Sequence, residues 1–179
     1  MTRDWFPWIG GAALVGGAVF FTEPLRAVLL VGIMLFFPLL DGRWRVPALP
    51  RQPGHVIAWV ILALTTGGLV LAQPHYLLTA ASALLLAALP EEWFFRAYLQ
   101  TSLEARPAFR GLRSVLLASL LFSVIHGLSR DWETAALVFV PSLLYGWLYQ
   151  RTRDLPMLVL VHALSNLMYA TYLARWRVG

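Results

Sequence analysis

The chain has no cysteine and no lysine, and only nine acidic residues among 179. Without cysteine there is no disulfide, no thiolate metal site and no cysteine nucleophile, and nothing marks the redox compartment. Without lysine, all 14 basic residues are arginine, a pattern that a genome's base composition produces as readily as any demand for guanidinium groups. Charged residues make up only 13% of the chain against 59% hydrophobic, and the mean hydropathy is +0.68. A soluble domain of this size does not need so much apolar material to fill its core. The formal charge of +5 does not point to nucleic acid, because the arginines fall in short connections between apolar runs and form no stripe along one face.

What is present is a series of apolar runs close to the length a helix needs to cross a hydrocarbon layer of roughly 30 Å, about 20 residues. They cover Phe6 to Phe21, Pro24 to Leu40, His55 to Ala72, Tyr76 to Leu99, Leu112 to Leu128, Trp132 to Tyr149 and Pro156 to Ala174. The expected fold is therefore all-α: a polytopic transmembrane bundle of about seven spans, in one domain over residues 1–179. Thr2-Arg3-Asp4 is not a net-positive leader, so the first run reads as a retained helix. Its Gly10, Gly11, Gly16 and Gly17 suit close helix packing. The connections are short and turn-like. Trp5, Trp8, Trp44, Trp132 and Trp176 are expected as interfacial anchors, and His55 and His75 as ordinary wet histidines at span ends.

If the spans alternate, the side holding the N-terminus collects Arg3, Arg43, Arg45, Arg51, Arg106, Arg110, Arg113, Arg151 and Arg153. The other side has Arg26, Arg130, Arg175 and Arg177. This excess predicts a cytoplasmic N-terminus.

Ionisable groups inside the runs require a reason, since one at the bilayer centre costs about 2.5 to 3.5 kcal/mol even on the lenient insertion scale. The fourth run contains Pro90-Glu91-Glu92-Trp93-Phe94-Phe95-Arg96. On an α-helix Glu92 and Arg96 share a face and can pair, whereas Glu91 points about 100° away from Glu92. Acid-base work uses two carboxylates in different surroundings, one held ionised and one free to exchange a proton, which makes Glu91 the candidate general base. A Glu-Arg pair that only fastens two helices accounts for the same residues.

The fifth run places Phe122 and His126 one turn apart, and the seventh does the same for His162 and Asn166. Glu91 lies 17 residues before Ala108 and His126 lies 18 after it, so in a helical hairpin turning near Arg106-Pro107-Ala108 both sit about 25 Å from the turn. His162 and Asn166 both carry hydrogen-bond donors, and a pair aimed at a scissile carbonyl can form an oxyanion hole. Taken as packing features, the same residues make a polar zipper between helices.

In this order, Glu91-Glu92 with Arg96, Phe122 with His126, and His162 with Asn166 resemble the CPBP family, which groups CAAX prenyl endopeptidases with bacteriocin-processing and self-immunity proteins. The resemblance covers about residues 76 to 174. It implies an intramembrane glutamate endopeptidase in which Glu91 and His126 activate water, His162 and Asn166 steady the oxyanion, and Glu92, Arg96 and Phe122 support them. It implies no metal and no other cofactor. It also implies a membrane-associated peptide or protein as substrate, such as a C-terminal anchor or sorting segment. The small size looks bacterial, which suggests the inner membrane.

Two other readings use the same residues. A zinc-dependent membrane peptidase would take Glu91, His126 and His162 as ligands around an open water position, although no His-Glu-x-x-His motif is present. A non-catalytic immunity or partner-binding membrane protein would keep the polar cluster only to hold its helices together.

Overall fold

The computed structural model describes residues 5–49 and 53–173. Arg3, Arg51, Arg175 and Arg177, which enter the charge count, lie outside the described residues, as do Thr2, Asp4, Trp176 and the end of the last run at Ala174. All the regular structure among the described residues is helical, with no strand. We number the helices α1 (Phe6–Phe20), α2 (Leu25–Phe36, continued by a 3-10 turn Phe37–Leu40), α3 (Pro53–Ala72), α4 (Pro74–Glu104), α5 (Leu112–Ser129), α6 (Trp132–Thr152) and α7 (Leu155–Met168, continued by a π turn Tyr169–Leu173). Each corresponds to one expected run. Three of them, α3, α4 and α5, are long and apolar enough to cross a membrane by length and composition alone, and α1, α2 and α7 are shorter apolar helices.

The helix ends follow from local chemistry. Asp131 caps α6 by accepting from the backbone N–H and the hydroxyl of Thr134, at 2.6 and 2.8 Å. Asp154 caps α7, where Pro156 in the first turn loses no hydrogen bond by lacking an N–H. Within α4, residues Ala83–Ala88 and Trp93–Gln100 form π turns on either side of the short α segment Leu89–Glu92. A π turn bonds i to i+5 and is frequent at functional sites. Side-chain bearings computed at 100° per residue therefore do not carry through this helix.

The chain divides into two compact units and passes between them three times. The first comprises residues 1–47 and 93–153. Its core gathers Leu14, Phe94, Phe95, Tyr98, Leu99, Leu103, Ala118, Phe122 and Ile125. The α5–α6 hairpin is closely packed: Ser123 donates to the carbonyl of Ala135 at 2.6 Å, and the Trp132 ring lies so near Gly127 that a Cβ there would come within 2.5 Å of it. Glycine is thus required one residue beyond His126. The first unit also gathers the connections assigned above to one side. Trp8 near the start of α1 packs edge-on against Phe109 of the α4–α5 connection, and Arg153 after α6 pairs with Glu104 at the end of α4.

The second unit comprises residues 48–92 and 154–179. Here α7 packs against α3 and the first half of α4, burying Ala88, Leu158 and Leu167 completely or nearly so. The apolar side chains of α3 remain exposed along its length, the condition of a helix whose solvent is lipid.

Candidate active site

Four of the candidate residues, Glu91, Glu92, His162 and Asn166, belong to the second unit, and three, Arg96, Phe122 and His126, to the first. In the second unit, the α segment Leu89–Glu92 of α4 brings both glutamates to His162 on α7. Nδ1 of His162 lies 2.7 Å from Oε1 of Glu92, and Nε2 lies 3.6 Å from Oε2 of Glu91. The imidazole is flanked by two carboxylates. The first distance is a charge-assisted hydrogen bond in which Nδ1–H donates, and the second is within ion-pair range but too long for a direct hydrogen bond.

The two carboxylates are not equivalent. The Glu92 side chain is 1% exposed and that of Glu91 13%. With Nδ1 committed to Glu92, the ring's tautomer and orientation are set by that bond, as a carboxylate sets the histidine of a catalytic triad. Nε2 is the nitrogen left to act. One turn further along α7, Asn166 is half-buried, and its carboxamide makes no hydrogen bond with the described residues.

In the first unit, His126 is half-buried near the end of α5. Its Nδ1 lies 3.0 Å from the carbonyl of Phe122. A carbonyl can only accept, so Nδ1–H is the donor, and in the neutral ring Nε2 keeps its lone pair. The Phe122 ring lies against the imidazole, with centroids 4.4 Å apart, and the Arg96 guanidinium sits over the Phe122 ring, 5.6 Å from its centroid. Arg96 is completely buried. It donates to the hydroxyl and the carbonyl of Ser142 on α6, at 2.8 and 3.1 Å. The Phe122 ring thus touches both the imidazole of His126 and the buried guanidinium of Arg96.

Three features have no counterpart in the sequence reading. The bond from His162 to Glu92 links helices 70 residues apart in the chain, and Ser142 carries no motif. The third is Asp154, fully buried, which accepts from Trp59 Nε1 through both oxygens at 2.9 Å, from the backbone N–H of Met157 at 2.9 Å, and meets His55 Nδ1 at 2.6 Å. This cluster ties the start of α3 to the start of α7, the helix that carries His162 and Asn166. Its only trace in the sequence is the capping pattern Asp154-Leu155-Pro156. Among the described residues, no group of three or more His, Asp or Glu side chains has the arrangement of a metal site.

Apolar helices that carry a Glu-His-Glu cluster, with His162 and Glu92 buried, define an integral membrane protein with a polar site on its own helices. Residues 73–168 match the family model described as type II CAAX prenyl endopeptidase Rce1-like. That match spans more than half of the chain, and the chain belongs to this family, one of CAAX-type intramembrane proteases. No curated protein and no solved structure matches it.

Proposed function

We propose that the chain is a glutamate-type intramembrane endopeptidase, a single transmembrane domain with its catalytic core over about residues 76–174. Its substrate is a membrane-associated peptide or protein. The observation that carries this reading is His162 flanked by Glu91 and Glu92, because ionisable groups held together among apolar helices are costly and mark chemistry.

In the proposed mechanism Glu91 and His126 activate the attacking water, the roles that the family resemblance implies for them. Glu91 takes a proton as the water oxygen attacks the peptide carbonyl. The tetrahedral oxyanion accepts from the Asn166 carboxamide and from Nε2–H of His162, a role in which the ring carries both protons and the Glu92 carboxylate balances its charge. Glu91 then passes its proton to the departing amine as the C–N bond breaks. Glu92 orients His162, while Arg96 and Phe122 hold His126 in place. We further place the protein in a bacterial plasma membrane with the N-terminus in the cytoplasm, following the arginine excess on that side.

The test is to compare membrane-protein termini in cells expressing the wild-type chain and Glu91→Gln. The substitution keeps size and hydrogen bonding but removes the base. A peptidase yields at least one new terminus that disappears with Glu91→Gln; identical termini at equal protein levels would leave a binding role.

A further inference from the structure

The first unit contains an apolar groove of about 300 Å³ that no motif residue lines. Its walls are successive turns of three helices: Trp8 and Val15 on α1, Leu103 and Leu99 on α4, and Leu117 and Val124 on α5. Each pair runs from the connection end of its helix inward. The seven-residue steps on α1 and α5 give the groove a length of about 10 Å along the helix axes. Gly11 lets α1 lie close to α5, since a Cβ there would come within 3.0 Å of Leu121. Leu120, also in the lining, is half exposed. The groove is therefore open on its flank and parallel to the helices, a shape that suits an extended hydrocarbon chain.

Its mouth is basic. Arg106 lies over the Trp8 ring at 5.8 Å from the centroid, which places a guanidinium directly above a groove-lining side chain. Arg113 is exposed and steadied by donation to the Ala108 carbonyl at 3.2 Å. It stands four residues before Leu117 and eleven before Val124, on the same face of α5. Arg110, between Arg106 and Arg113 in the sequence, is exposed. The nearby acid, Glu104, is engaged by Arg153 and Gln150. An apolar slot with Arg106 over its Trp8 end, and two further arginines in the adjoining connection and the first turn of α5, complements a molecule with a hydrocarbon tail and an anionic head.

We propose that this groove is a binding site for one anionic phospholipid of the bilayer, with an acyl chain between α1 and α5 and the phosphate at Arg106, Arg110 and Arg113. The site is independent of the peptidase reading and holds whether or not the chain cleaves anything.

The full chain, purified in detergent and offered equal amounts of phosphatidylglycerol and phosphatidylcholine, should retain phosphatidylglycerol preferentially when observed by native mass spectrometry. Arg110→Gln and Arg113→Gln should each lower that preference by about fivefold, as expected for one arginine at an anionic surface. Ala12→Phe, which fills the groove, should remove the bound lipid while the arginines remain. Equal retention of the two lipids by the wild-type chain would overturn the proposal. Competition by glycerol phosphate as effective as that by phosphatidylglycerol would do the same, because it would show a phosphate site that makes no use of the groove.

Discussion

Asp154 offers a sharp test of how α7 is held. Replacing it with alanine removes the cap of α7, both acceptors of the Trp59 indole and the partner of His55 at once. Losing an N-cap costs about 0.5 to 2 kcal/mol, and each hydrogen bond to a charged group contributes about 1.5 to 3 kcal/mol. These terms overlap, so the appropriate scale is that of breaking a buried charge pair, about 3 to 5 kcal/mol. For chains of 150 to 250 residues each kcal/mol moves the melting temperature by about 2 to 4 °C, so Asp154→Ala should melt roughly 6 to 20 °C below wild type. Asp154→Asn keeps one acceptor oxygen but turns a donor toward the indole and imidazole, and should fall in between. Circular dichroism at 222 nm on detergent-purified protein measures both. The Trp59 fluorescence should change with Asp154→Ala even below the transition. An Asp154→Ala protein melting within about 2 °C of wild type would show that the buried carboxylate does not hold α7, and the reasoning would fail.

Glu91→Gln should leave the melting temperature within a few degrees of wild type while abolishing the termini that depend on the protein; loss of fold together with cleavage would point to a structural carboxylate. Gly146→Ala should destabilise, because the new Cβ would come within 2.8 Å of Val115 and 3.0 Å of the Gln100 side-chain oxygen. Overpacking of this kind costs about 1 to 3 kcal/mol, which exceeds the gain of up to about 1 kcal/mol in helix propensity, so a raised melting temperature would refute the assigned packing. Cleavage should persist in chelator, and purified protein should carry no stoichiometric zinc. Zinc bound one to one with chelator-sensitive turnover would favour the reading with Glu91, His126 and His162 as ligands.

Seven helices and their approximate limits were legible in the sequence because a bilayer-length apolar run is a local property: each run declares its own burial without reference to a neighbour. The polar residues stood out for the same reason, since Glu91, Glu92, Arg96, His126, His162 and Asn166 are conspicuous in apolar surroundings. Their partners were not legible. The structure gives Glu92 a partner in His162, 70 positions away, and Arg96 one in Ser142, 46 positions away.

Asp154 shows the other limit. In the sequence it falls in one of the short, turn-like connections, and His55 reads as a wet histidine at a span end. Folding buries the carboxylate completely against a helix almost 100 positions away in the chain. The amino-acid order alone determined which segments are helical and which carry charge into the apolar interior, because hydrophobicity and helix periodicity act within a few turns. Tertiary structure decided which charge meets which, because that depends on how helices distant in sequence are packed side by side, and no local pattern encodes their register.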